Sequence, residues 1–169
     1  MSTWTNWSGL VTVHPQHELT PRDVHEVADA VLAARAAGRT VKMVGTGHSF
    51  TAIAAADGVM LRPEKLTGIT HVDRDAMTVT ALAGTPLHVL NAALENLGLS
   101  LHNMGDIAEQ TVAGATSTGT HGTGGTVASL SAQVVGLDLV TADGTVLHAD
   151  EAERPEILAL ARLGLGALG

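Results

Sequence analysis

An α+β fold is what this sequence predicts, on three observations. The opening reads strand, helix, strand. Further on come two strand pairs, each joined by a tight turn. Two glycine-rich stretches, 44–50 and 119–125, interrupt the periodic pattern, and each carries a single histidine.

The elements follow in order. Leu10-Val11-Thr12-Val13-His14 alternates as a strand does. Thr20 is the expected cap of a helix with Pro21 at its first position, Asp23 in its first turn and Gly38 at its end. Val24, Val27, Ala28, Val31, Leu32 and Ala34 form its apolar face. A strand over 40–44 closes this β-α-β unit, which favours a parallel pair, and Gly58-Val59-Met60-Leu61 is a further strand stopped by Pro63. Residues 69–73 and 77–81 read as a hairpin across Arg74-Asp75-Ala76. Thr85-Pro86 opens a helix carrying Leu87, Leu90, Leu94 and Leu97 and ending at Gly98. Residues 100–125 show no packing period, and their small, uncharged composition favours a functional loop. Residues 133–140 and 145–148 pair across a turn marked by Asp143-Gly144. Pro155 starts a last helix reaching Leu163, and the apolar, uncharged end at 164–169 suggests a truncated chain.

Composition removes several classes of function. Hydrophobic residues make up 45% of the 169 residues but aromatics only 2%, so the core must be aliphatic and built around small side chains. The absence of cysteine excludes disulfides, thiolate nucleophiles and cysteine metal sites. A net charge of −8 without a basic cluster argues against nucleic acid and anionic membranes. The N-terminus lacks the pattern of a signal peptide, and no apolar run is long enough to span a bilayer, so the expected location is the cytoplasm. His14 and His17 have a spacing compatible with metal, but the stretch offers too few ligands, and no metal is expected.

The stretch Val44-Gly45-Thr46-Gly47-His48-Ser49-Phe50 leaves a strand and enters a loop. Glycines there free the backbone N–H groups to meet an anion, so a phosphate-bearing ligand is expected. The dinucleotide fingerprint is incomplete, because its third glycine is missing, and there is no Gly-Lys-Ser/Thr phosphate loop. Ser49 beside His48 is no hydrolase pair, since adjacent residues on an extended loop point apart and no Gly-x-Ser-x-Gly elbow is present.

These stretches, with Thr5-Asn6-Trp7-Ser8-Gly9, Asn103-Met104-Gly105-Asp106, Thr111-Val112-Ala113-Gly114, Ser117-Thr118-Gly119-Thr120-His121-Gly122-Thr123-Gly124 and Leu139-Val140-Thr141-Ala142-Asp143-Gly144, occur in one order along the whole chain. They resemble the N-terminal FAD-binding domain of the vanillyl-alcohol-oxidase (p-cresol methylhydroxylase) flavoproteins, most closely the sugar-1,4-lactone oxidases and alditol oxidases.

The resemblance implies two α+β subdomains, about 8–66 and 67–169, with FAD between them. Gly45, Thr46, Gly47, His48 and Ser49 would hold the diphosphate, and Met43, Val44, Phe50, Gly105 and Asp106 would also meet the cofactor. The small residues Thr111, Val112, Gly114, Ala115, Thr116 and Ser117 would let backbone pass close to the flavin, and Gly119, Thr120 and His121 would add a second wall. His48 is either joined covalently to the 8α-methyl of the flavin or a loop histidine bonded to phosphate or backbone. His121 is expected to shape its loop and line the flavin pocket.

Asp106 is either a substrate contact, accepting from a sugar hydroxyl, or a solvated loop residue or helix cap. Gly105 leans towards access of oxygen to the reduced flavin. The implied partners are a sugar lactone or polyol and oxygen or another electron acceptor. The resemblance also implies a C-terminal substrate domain, which this sequence lacks.

Overall fold

The computed structural model describes residues 2–169. Its first unit is a short antiparallel hairpin, β1 (Trp4–Thr5) and β2 (Thr12–Val13), with Trp4 opposite Val13. A three-stranded parallel sheet follows, from β3 (His17–Leu19), β4 (Val41–Met43) and β5 (Val59–Leu61), in the order β3-β5-β4. The expected parallel pairing is present, with two corrections. The strand before the helix is His17–Leu19, because residues 12–13 turn back to pair with residues 4–5. The two strands flanking the helix are also not neighbours, since β5 inserts between them.

That central position explains the uninterrupted apolar run of β5, for a parallel strand covered on both faces has no solvent side. Met60 is fully buried, and Val59 and Leu61 nearly so. Burying a side chain of this size stabilises by roughly 1.5–3 kcal/mol.

Helix α1 (Val24–Ala36) lies on one face of the sheet, where Val27, Ala30 and Ala34 pack against Val59, Leu61 and Leu66. Its cap is Asp23, whose carboxylate accepts from the Glu26 N–H at 2.9 Å, and not Thr20. Arg22 makes the difference. Its N–H and guanidinium both donate to Glu26, which holds the chain extended until Asp23. The apolar face is also rotated from the expected one. Val24 and Leu32 stay partly exposed, and Ala30 takes the buried place because its small side chain lets helix and sheet approach closely. Gly38 ends the helix with a positive φ of 64°, and the Arg39 N–H returns to the Ala34 carbonyl at 2.8 Å. On the other face Met60 meets Trp4, Val44 and Ala56.

The remainder comprises a bulged hairpin, β6 (Ile69–Asp73) and β7 (Thr78–Ala81), helix α2 (Leu87–Asn96), a short helix α3 (Val112–Ser117), a second hairpin, β8 (Gly136–Val140) and β9 (Val146–Asp150), and helix α4 (Pro155–Ala161). Leu87, Leu90 and Leu94 of α2 pack with Ala115 and Leu130 as a second core.

The aperiodic stretch 100–125 contains α3, which its composition conceals. Thr111 caps it by accepting from the Gly114 N–H at 3.2 Å. Bonds to distant residues fold the rest. The Gln133 amide donates to the Asn103 carbonyl at 2.9 Å and accepts from the His102 N–H at 3.0 Å, and the Leu130 N–H reaches the Thr120 carbonyl at 2.9 Å. No helix among the described residues is long and apolar enough to cross a membrane.

Candidate functional site

Strand β4 ends at Met43, and the next residue, Val44, is buried with its N–H bonded to the Leu61 carbonyl at 2.9 Å. The chain then leaves the sheet. From Gly45 to Phe50, six consecutive backbone N–H groups have no acceptor among the described residues. Two of the loop's carbonyls are engaged instead. Gly47 O accepts from the Trp7 N–H at 3.0 Å, and Ser49 O accepts from the Asn6 amide at 2.8 Å. With carbonyls tied down and N–H groups left over, the loop is a partial positive charge awaiting an anion.

Both glycines are required by this geometry. Gly47 has a φ of 72°, and a Cβ there would lie 2.9 Å from the Trp4 ring. A Cβ on Gly45 would lie 2.5 Å from the Thr111 hydroxyl, so this close approach seats the loop on the cap of α3.

The loop opens on a cleft of about 3030 Å³ between the sheet, the two later hairpins and the 161–169 segment. Ordinary small-molecule pockets hold roughly 300–1,000 Å³, so this one has room for a large ligand. Its charge differs from that of the molecule. Five of the nine Lys and Arg residues line it (Arg22, Arg35, Arg39, Lys42, Arg162), against three of the seventeen acids (Asp23, Asp138, Asp143). The cleft is therefore net cationic in a chain of −8. Burial pushes the Lys42 ammonium below its ordinary pKa, and it donates to the Leu165 carbonyl at 2.6 Å.

Of the residues singled out from sequence, Met43, Val44, Gly45, Thr46, Gly47, His48, Ser49 and Phe50 line this cleft, with Thr111, Val112, Gly114, Thr116 and Ser117. Ala115 is fully buried beneath them. Gly105, Asp106, Gly119, Thr120 and His121 do not line it. Gly105, Thr120 and His121 meet elsewhere: a Cβ on Gly105 would lie 2.8 Å from the Thr120 methyl and 3.5 Å from the His121 carbonyl. Asp106 and His121 are exposed, and the His121 ring nitrogen Nδ1 lies 2.8 Å from the Gly122 carbonyl.

His48 is held on two sides. Its Nδ1 lies 3.0 Å from the Thr46 hydroxyl, and the Trp7 ring stacks on it at 5.4 Å with 22° between planes. Sequence reasoning assigned no role to Asn6, Trp7 or Lys42. The available signal for the first two was the concentration of a chain's scarce aromatics: Trp4, Trp7 and Phe50 are its complete set, and all three touch or belong to this loop.

A strand-to-loop nest of free N–H groups, in a cationic cleft of an α+β fold, defines a domain that binds a large anionic ligand. The chain belongs to the FAD binding domain family, whose model matches residues 15–150. It is 43% identical over 166 residues to the L-gulono-1,4-lactone dehydrogenase of Mycobacterium tuberculosis, covering 98% of this chain and 38% of that protein. It is 38% identical over 164 residues to the L-gulonolactone oxidase of Mus musculus, covering 97% and 37%. The fold is shared with the xylooligosaccharide oxidase of Myceliophthora thermophila, at a TM-score of 0.86 and 20% identity over 96% of this chain and 35% of that one. The chain thus spans less than two fifths of the curated relatives it matches.

The residues present fit FAD. Six unpartnered N–H groups and a cradle that a Cβ at Gly47 would fill suit the diphosphate of a dinucleotide, and the cleft has room for its two ends.

Proposed function

We propose that the chain is the FAD-binding part of a flavin-dependent oxidoreductase that oxidises a carbinol of a sugar 1,4-lactone. The single observation that carries the cofactor half is the run of free N–H groups from Gly45 to Phe50. The lactone half is carried by the relatives, a gulonolactone dehydrogenase and a gulonolactone oxidase. An alditol is the alternative substrate.

FAD, when bound, accepts hydride from the substrate C–H at flavin N5, and the electrons pass on to oxygen or another acceptor. The protein's part is to bind and orient. Gly45 to Phe50 hold the diphosphate through their N–H groups. Thr111 to Ser117 form a low wall whose small side chains admit the ring system. Gly105, Asp106, Gly119, Thr120 and His121 lie outside the cleft and take no part in holding the diphosphate. The two subdomains, about 8–66 and 67–169, bind FAD between them.

His48 would hold the flavin covalently, through a ring nitrogen joined to its 8α carbon. The Thr46 hydroxyl engages Nδ1, which leaves Nε2 uncommitted. Attachment would release the imidazole N–H proton and one 8α proton, with the two electrons going to the same acceptor.

Acid precipitation of the purified chain with visible spectroscopy tests this. Yellow colour that stays in the pellet, and is released by His48→Ala, is the expected result. Colour that leaves with the supernatant keeps FAD but removes the bond, and a folded chain that takes up no FAD overturns the cofactor reading. The second reading is a flavin-binding module without turnover of its own. Sustained dye reduction with an aldonolactone would sink it.

A further inference from the structure

Residues 4–13 lie outside the stretch 15–150 that matches the FAD binding domain family, yet they grip the middle of its anion loop. Asn6 is buried, and its side chain ties the loop to its own hairpin. Its amide donates to the Ser49 carbonyl at 2.8 Å and the Ser8 hydroxyl at 2.9 Å, while its Oδ1 accepts from the Val11 N–H at 3.0 Å. Trp7 donates its backbone N–H to the Gly47 carbonyl at 3.0 Å. The carbonyls on either side of His48 are therefore clamped by consecutive residues of one hairpin.

The Trp7 ring has no such backbone duty. It is 61% exposed, so it is no core residue, but it lies flat on the His48 imidazole and meets Phe50 edge-on at 6.0 Å. Trp7 is not a scattered surface residue, since its ring joins His48 and the exposed Phe50 in one aromatic group on the anion loop.

We infer that Asn6 and Trp7 are positioning residues for His48: Asn6 and the Trp7 N–H fix the backbone on both sides of it, and the Trp7 ring fixes the plane of its imidazole. Stacking removes rotation about the side-chain bonds, and the Thr46 hydroxyl then selects which nitrogen remains free. A histidine meant only to hydrogen-bond a phosphate needs no such restraint. The part concerning flavin attachment rests on the FAD reading above.

The test uses the 169-residue chain with Trp7→Ala, Trp7→Phe and, as a control on the same hairpin, Leu10→Ala at a position 73% exposed. Proton NMR of the imidazoles in the flavin-free chain reads the stack directly. The His48 ring signal, assigned with His48→Gln, should lie upfield of the other histidines and move downfield in Trp7→Ala but not in Leu10→Ala. With FAD added, Trp7→Ala should take up flavin as the parent does but form the acid-stable adduct at least ten times more slowly, and Trp7→Phe should restore most of the rate.

An unshifted His48 signal in the parent overturns the stack whatever becomes of the FAD reading. Adduct formation at the parental rate in Trp7→Ala overturns the positioning role, as does equal loss of FAD uptake and melting temperature in Trp7→Ala and Leu10→Ala. If the parent forms no adduct, a downfield shift confined to Trp7→Ala still upholds the restraint on the imidazole and assigns the failure to the covalent reading.

Discussion

The two glycine-rich loops have nearly the same composition and one histidine each, yet the fold treats them oppositely. The first leaves a buried parallel strand, rests on Trp4, is clamped by Asn6 and Trp7, and lines the cleft. The second follows the short helix α3 and is exposed from Thr123 to Ala128. Its histidine lies outside the cleft. Glycine content alone therefore does not make an anion site. The second loop also leaves its N–H groups from His121 to Thr126 without an acceptor among the described residues, and its Thr120 and Gly124 carbonyls are engaged. What separates the two is place: the first faces the cleft and the second faces solvent.

The sharpest way to break the contrast is to place a side chain in each loop. Gly47→Val meets both a left-handed φ and the Trp4 ring, so it should abolish FAD uptake and destabilise by several kcal/mol. Gly125→Ala has nothing within 4 Å and should stay within about 0.5 kcal/mol of the parent. Thermal melts and FAD titration of the pair check both. Next come the histidines: His48→Ala should lose acid-stable flavin while still binding FAD, and His121→Ala should lose neither.

Asn6→Ala sharpens the comparison by removing the clamp and keeping the glycines. It strands the Val11 N–H and the Ser49 carbonyl, at about 1–3 kcal/mol. At roughly 2–4 °C per kcal/mol, a melting curve resolves it. A parental melting temperature would show that the loop keeps its shape unaided.

The smallest effects are expected away from both loops, in the β8–β9 hairpin. The Thr141 hydroxyl, and then the Thr145 N–H, hold the Asp143 carboxyl down to about 2. A carboxyl lowered on folding stabilises the fold above its ordinary value of 3.8 and loses that contribution as pH falls towards 2. His148, on the same hairpin, is raised above 6.5, first by Asp138 and then by Asp150. Its contribution is complete below 6.5 and disappears as pH rises through the raised value. Melting curves should flatten on the acid side in Asp143→Asn and on the alkaline side in His148→Gln.

Much of this molecule was legible in its residues. Gly38 and Gly98 end their helices as read, because a left-handed residue past the last turn is a local requirement. The Asp143-Gly144 turn is local for the same reason. The free N–H groups at Gly45–Ser49 could be anticipated, since glycine permits the conformation that the loop takes. The cap of α1 was misplaced because Arg22 and Glu26 outcompete Thr20 for the helix start, a contest between neighbours that propensity does not rank.

By itself, then, the sequence determined helices α1, α2 and α4, the turns, the aliphatic composition of the core and the glycine-rich loop. All of these follow from composition or from contacts within a few residues. Only the tertiary structure decided that β5 lies between β3 and β4, that α3 exists within a stretch lacking any period, and that Asn6 and Trp7 close on a loop some forty residues away. Those features depend on pairings between distant segments. Their energy appears only once the chain has closed the loops between them, and no local pattern records it.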